Sequence, residues 1–285
     1  MTDSPAAERP LGGLRVMVTR PAPENNTVSA GNDDLAEQFR RLGAEVIRQP
    51  AIRIGPPADW QLVDAALARL AEFDWLVFSS ANGVRFLLDR ATEKGTSLIF
   101  SRKSVMSPFR VPFRVAAIGP GTAEELGRYG LNADLVPEQF RAEALAEALG
   151  HDARGRRFLL VRASRGREVL AEQLRAAGAL VEQIVAYTSA DVERPDPAVA
   201  TLLKAGQLDW ITVTSSAIAR SLARMFGEDL RRAKLASMSP LTSGVLGELG
   251  HATAAEAIEY TMAGLVAAIV DAVPTGRSND DSGSA

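Results

Sequence analysis

Short apolar runs alternate with amphipathic stretches along most of the chain. Leu14–Thr19 (LRVMVT) predicts a strand, after which Leu35, Phe39 and Leu42 recur at helical spacing up to Gly43, a natural residue just past a helix end. Val46–Ile54 predicts a strand that carries Pro50, and a helix through Val63, Leu67 and Leu70 leads to a strand at Trp75–Phe78. Val115–Ile118, Phe158–Val161, Val181–Tyr187 and Trp210–Val213 predict further strands, with helical patterns between most of them. Strands that are apolar almost throughout, separated by helices, imply parallel sheets with both faces covered: an α/β class of doubly wound type. The polar, Gly-, Pro- and Ser-bearing ends, 1–12 and 273–285, predict disordered tails.

The apolar pattern also repeats. Leu35-Ala36-Glu37-Gln38 returns as Leu170-Ala171-Glu172-Gln173, and Asp74-Trp75-Leu76-Val77-Phe78-Ser79-Ser80 returns as Asp209-Trp210-Ile211-Thr212-Val213-Thr214-Ser215, both 135 residues later. Ile118-Gly119-Pro120-Gly121-Thr122 returns as Met238-Ser239-Pro240-Leu241-Thr242 at an offset of 120, so the first copy is 15 residues longer there, within Gly95–Arg114. Two copies of one strand–helix series imply two similar domains with a cleft between them.

In each copy the polar residues fall just after a predicted strand and before a helix. They are Thr19 and Arg20; Ser79, Ser80, Ala81 and Asn82; Gly119, Pro120 and Thr122; Arg162 and Ser164; Thr214, Ser215 and Ser216; and Ser239 and Thr242. The carboxyl ends of strands are where open α/β sheets bind ligands, and the helix N-termini that follow carry unpaired N–H groups and partial positive charge. The same residue types are also preferred as plain N-caps. Either role fits one segment alone; six such segments are harder to dismiss as caps, and capping does not exclude ligand contact.

Composition narrows the chemistry. With 285 residues, 46% of them hydrophobic, and a net charge of -3, the chain is an ordinary two-domain globular sequence with no basic face for nucleic acid. It has no cysteine and only two histidines, His151 and His251, so thiolate metal sites are excluded and a metal cofactor is not expected. No signal-peptide core and no membrane-length apolar run stand in the sequence, which places the protein in the cytoplasm with no membrane partner. There is no Walker loop, no GxGxxG after the first strand and no GxSxG elbow, so nucleotide and serine-hydrolase chemistry lack their marks. Glu37, Glu124 and Glu172 are expected on helix surfaces, and no acid/base pair stands out. Chemistry carried by the substrate fits this set best.

The ordered series VMVTRP (16–21), LGAEVIRQPAIRI (42–54), FDWLVFSSANGV (73–84), VAAIGPGTAEELGRYG (115–130), LVPEQFRAEALAEAL (135–149), LLVRASRGREVLAEQLRAAGALVEQIVAYTS (159–189), LDWITVTSSA (208–217) and LASMSPLTSGVLGELG (235–250) resembles the uroporphyrinogen-III synthase family over about Leu14–Val270. The resemblance implies two flavodoxin-like domains, a discontinuous first (13–53 and 190–272) and a second (54–189), joined by linker strands near Ile52–Pro56 and Val185–Ala190. It implies a lyase of haem biosynthesis that cyclises hydroxymethylbilane, a linear tetrapyrrole with eight carboxylates, with inversion of the last ring and no cofactor. It also implies a monomer, with room for a transient contact with hydroxymethylbilane synthase, and two domains with a small interface are expected to hinge about the linker strands and close on ligand. Arg20, Arg85, Arg162, Arg165 and Arg167 become candidate carboxylate partners. Tyr187 matches a family tyrosine proposed as general acid toward the departing hydroxyl, its OH facing the cleft; an aromatic packed on a strand end is the plainer role. Three departures stand out: a long Pro21–Asp34 connection, Ser239 where the other copy has Gly119, and the basic Gly95–Arg114 insert, expected as a surface loop. A non-catalytic protein of the same fold that binds a tetrapyrrole or other polyanion would use the same features. A periplasmic-type binding clamp and a nucleotide enzyme are weaker alternatives.

Overall fold

A computed structural model describes residues 9–21, 35–96 and 113–274. Most of the Pro21–Asp34 connection, of the 95–114 insert and of the two predicted tails lies outside them. The chain divides into two compact units after Arg53 and after Ser189, so that one unit takes both ends of the chain and the other takes the middle.

Unit 1 opens with β1 (Arg15–Val18), α1 (Leu35–Arg41) and β2 (Glu45–Arg48), and β3 (Ile52–Gly55) carries the chain into unit 2. Unit 2 holds α2 (Gln61–Ala68), β4 (Trp75–Phe78), α3 (Ala81–Glu93), β5 (Arg114–Ala117), α4 (Pro120–Arg128), α5 (Ala142–Gly150), β6 (Arg157–Ala163) and α6 (Val169–Ala176). The long β7 (Leu180–Asp191) then returns to unit 1. There follow α7 (Pro197–Lys204), β8 (Trp210–Val213), α8 (Ser216–Phe226), β9 (Lys234–Ser237), α9 (Pro240–Glu248), β10 (Thr253–Glu256) and α10 (Met262–Asp271).

The unit 1 sheet runs β10-β9-β8-β1-β2, parallel throughout. The unit 2 sheet runs β3-β7-β6-β4-β5, with β4, β5, β6 and β7 parallel and Leu135 bridged to Ala116 beyond β5. The sequence repeat equates β1, β2, β8 and β9 with β6, β7, β4 and β5, and the two sheets then have the same strand order. Alternate side chains of one strand bury on opposite faces: Leu76 and Phe78 of β4 join Val115, Leu159 and Val161, whereas Trp75 and Val77 join Phe158, Leu160 and Leu174. Both faces are therefore dry, which is why these strands read as continuous apolar runs.

Four expectations need correction. The single strand at Val46–Ile54 is two, β2 and β3, because Pro50 has no N–H to give the ladder. Gln49 and Ala51 on either side still donate to the Val18 and Thr19 carbonyls, at 3.0 and 2.9 Å. The tail expected over 1–12 gives way to order before Leu14: Leu11 is fully buried and its N–H donates to Leu42 O. Arg162 and Ala163 lie inside β6, not after it. β9 (KLAS) and β10 (TAAE) escaped the strand reading because small residues blunt the apolar signal.

One charge cluster on unit 2 has a measurable signature. Arg90 grips Asp64 through Nε and Nη2, both at 2.8 Å, and Lys94 Nζ lies 2.8 Å from the same carboxylate. The hydrogen bonds from Arg90 and then Lys94 bring the Asp64 pKa down to about 2. The folded value lies below the unfolded one, so this pair stabilises the fold above about pH 4, and that contribution fades as pH falls through about 2. A carboxyl-carbon NMR titration should place the Asp64 midpoint near 2; an ordinary value of 3.8 would show that the pair does not hold in solution.

Candidate functional site

In unit 2 the turn after β4 starts α3. Ser80 is extended at φ −170° and its Oγ accepts the Gly83 N–H at 3.1 Å, so it is the N-cap. Ser79 Oγ donates to Val161 O across the sheet at 3.2 Å, and Ala81 and Asn82 form the half-buried first turn. The Ser80 hydroxyl also meets the Tyr187 hydroxyl at 2.9 Å, and the Tyr187 ring stacks on Phe86, one turn further along α3, with centroids 5.7 Å apart.

The loop after β6 is stapled to β7 beside that tyrosine. Ser164 N–H donates to Tyr187 O at 2.9 Å, Ser164 Oγ accepts Ser189 N–H at 3.1 Å, and Arg165 Nε donates to Ser189 Oγ at 3.0 Å. Burial pushes the Tyr187 phenol pKa up, while the Ser80 hydrogen bond and the charge of Arg165 oppose that rise. The third strand end starts α4 with Pro120 at N1 and Gly119 as a cap without a side chain. A Cβ at Gly119 would sit 3.1 Å from Phe140 Cβ and 3.2 Å from its Cγ, so the serine of the other copy would press on that ring.

Unit 1 repeats the caps. Ser215 Oγ accepts Ile218 N–H at 3.3 Å at the start of α8, beside half-buried Thr214 and Ser216. Ser239 caps α9, its Oγ 3.4 Å from Thr242 N and 3.2 Å from Thr242 Oγ1. Arg20, at the end of β1, directs its guanidinium to the Met262 sulfur at 2.8 Å.

Several sequence-predicted site residues serve the protein itself. Thr19 is wholly buried, with its hydroxyl donating to Thr212 O, so it clamps β1 to β8 and offers nothing to a ligand. Thr122 and Thr242 are also buried, at 5% and 2% exposure, because the third helical position turns its side chain inward beneath the cap. Tyr187 is 6% exposed, a packed ring with a hydrogen-bonded tip, the plainer of the two roles open to it. Arg85 binds Glu125 through two bonds of 2.8 and 3.0 Å, and Arg167 binds Glu143 at 2.6 Å. Arg162 pairs with Glu168 and also donates to Gln183 Oε1 at 3.1 Å. The hydrogen bond from Arg162, and then that from Gln183, hold the Glu168 carboxyl below the usual range. Ser79, Ser80, Ala81, Asn82, Thr214, Ser215, Ser216 and Ser239 do stand at strand ends beside helix starts, whereas Ser164 lies in the loop after β6, five residues before the next helix.

Sequence reasoning missed Phe86, Ser189 and the buried Glu125. Only the apolar spacing of α3 hinted at Phe86; Ser189 and Glu125 look like surface residues until their partners arrive. Among the described residues no three His, Asp or Glu side chains converge as a metal site, and no helix is long and apolar enough to cross a membrane.

The family model described as uroporphyrinogen-III synthase HemD matches residues 33–267. A uroporphyrinogen-III synthase of Synechococcus elongatus is 35% identical over 273 residues, covering 92% of this chain and 97% of its own. A putative uroporphyrinogen-III synthase of Methanothermobacter thermautotrophicus is 31% identical, covering 92% and 99%. Among solved structures, a mutant uroporphyrinogen III synthase of Thermus thermophilus superposes with TM-score 0.62 at 16% identity, covering 91% of this chain and 98% of that one. The uroporphyrinogen-III synthetase of Helicobacter pylori superposes with TM-score 0.57 at 14% identity, covering 90% and 99%. At such identities the structures speak for the fold alone.

Proposed function

We propose that this chain, which belongs to the uroporphyrinogen-III synthase family, closes hydroxymethylbilane into uroporphyrinogen III, a lyase step of porphyrin and haem biosynthesis. The observation that carries the reading is the 35% identity to a uroporphyrinogen-III synthase over nearly the full length of both chains. The substrate loses its terminal hydroxyl as water and leaves an electrophilic azafulvene. The last pyrrole attacks through a spiro intermediate, inverts, and the ring closes; the proton lost on aromatisation balances the one consumed in forming water.

The protein's work in this reading is placement of charge and shape. The sheet order, which matches the flavodoxin-like pattern in unit 1, supports two flavodoxin-like domains, 13–53 with 190–272 and 54–189, with β3 and β7 as linker strands. Helix starts capped by Ser80, Gly119, Ser215 and Ser239 offer backbone N–H donors to substrate carboxylates. Ser79, Ala81, Asn82, Pro120, Thr214 and Ser216 line those turns, Ser164 stands in the loop after β6, and Arg20 brings positive charge. Tyr187 gives its phenolic proton to the departing hydroxyl. The protein acts as a cytoplasmic monomer without metal or nucleotide, taking its unstable substrate directly or by a passing contact from hydroxymethylbilane synthase.

The test is a coupled assay in which hydroxymethylbilane is generated in place and the ring isomer is read after oxidation. The type III isomer should dominate, and a chelator should leave the rate unchanged. Only the type I isomer, the product of closure without inversion, would point to a non-catalytic binding protein of this fold.

A further inference from the structure

Tyr187 is the one proposed proton donor, and the structure gives its hydroxyl a partner that itself hangs from a helix start. Ser80 Oγ carries one proton and two acceptor positions. One acceptor position is taken by the Gly83 N–H at 3.1 Å, and the Tyr187 hydroxyl lies 2.9 Å away. While Tyr187 donates to Ser80, its proton is spoken for. Once it turns that proton toward another acceptor, the Ser80 proton is free to point at the phenolic oxygen. The hydrogen-bond count allows the switch without moving a heavy atom.

Everything around the pair holds it in place. The Tyr187 ring is fixed by stacking on Phe86, and its backbone carbonyl by Ser164 N–H at 2.9 Å. The Arg165 charge is tied two residues along β7 by Ser189 Oγ at 3.0 Å. Ser80 caps α3, a helix of 13 residues, so its oxygen is polarised by the positive end of the helix dipole. A phenolate created next to it would meet an O–H donor already charge-biased, in a buried setting where such bonds count most.

We propose that Ser80 is a positioning residue for Tyr187: held by the first turn of α3, it donates its hydrogen bond to the phenolate formed when Tyr187 passes its proton to the departing hydroxyl of the substrate. In that step the Tyr187 O–H bond breaks, its proton joins the leaving hydroxyl to form water, and the C–O bond breaks with its electron pair going to that water. The negative charge left on Tyr187 is stabilised by Ser80 until the proton released on ring closure returns. The inference rests on Tyr187 as proton donor and removes Ser80 from the set of direct carboxylate ligands, since its single proton is used internally.

The test uses the whole protein and three variants at position 80. Ser80→Gly deletes the hydroxyl but keeps most of the helix start, because glycine is a fair N-cap; Ser80→Ala deletes both, and Ser80→Thr restores both. The first readout is the Tyr187 titration by ring-carbon NMR, assigned against Tyr187→Phe among only three tyrosines. Ser80→Gly should move that titration to higher pH by about one unit, lower kcat by about tenfold and leave KM within about twofold, with Ser80→Thr close to wild type. A Tyr187 titration unmoved in Ser80→Gly would overturn the proposal, and Ser80 would be a cap and nothing more. A fall in kcat that also raises KM tenfold would overturn it in favour of direct carboxylate binding. Full activity in Tyr187→Phe would overturn the proton-donor reading on its own, whatever Ser80 does.

Discussion

Tyr187→Phe should slow formation of the type III isomer by up to about a hundredfold at saturating hydroxymethylbilane, since one proton donor is typically worth roughly 10²–10⁴-fold and this substrate also loses its hydroxyl unaided. The fold should survive. The ring remains stacked on Phe86, and Ser80 Oγ, which loses a bond, keeps the Gly83 N–H. The phenol is 6% exposed, so its area contributes to the core as phenylalanine would. The comparison to make is kcat of the two proteins in the coupled assay, with thermal unfolding as the control for folding. Equal kcat would take Tyr187 out of the chemistry and leave the helix-start donors as the source of rate.

Trp210→Ala should destabilise unit 1 by about 3–5 kcal/mol, the usual cost of deleting a large buried aromatic. Trp210 is among the largest fully enclosed side chains of the molecule and sits on β8, the central strand of its sheet. It belongs to the cluster of Leu14, Val16, Phe39, Leu265 and Ile269, and Lys234 Nζ lies 5.3 Å from its ring centroid. The cluster draws on elements from both ends of the chain, and a large void left in such a close-packed core is costly. Calorimetry should show the transition of unit 1 move down while that of unit 2 keeps its place. Trp210→Phe, which leaves a smaller void, should cost less. A loss below about 1 kcal/mol would mean that the cluster repacks, contrary to the close packing of such cores.

Elements whose signal is local are legible in the chain alone. Trp75–Phe78 and Trp210–Val213 are strands at the residues their runs mark, since a strand buried on both faces is apolar wherever its side chain finds no hydrogen-bond partner, and only Thr212, bonded within the sheet, departs from that. The same holds for the caps: Ser80, Ser215 and Ser239 each precede a helix by one residue, because a short hydroxyl side chain satisfies a first-turn N–H better than most others. The repeat, too, was visible as a pattern of letters, and the strand order of the two sheets follows it. Which of the polar residues stay open to a ligand is settled by packing in three dimensions. Thr19 and Thr212 are an ordinary pair of strand threonines in one dimension and a closed hydrogen-bonded clamp in three. Arg85 and Arg162 carry the charge a carboxylate ligand would want, yet Glu125, 40 residues on, and Glu168 hold them. Tyr187 meets Ser80 across 107 residues of chain. Periodicity and capping report the chain's agreement with its own backbone, whereas the partners of a charge or a hydroxyl are set by where distant strands come to lie.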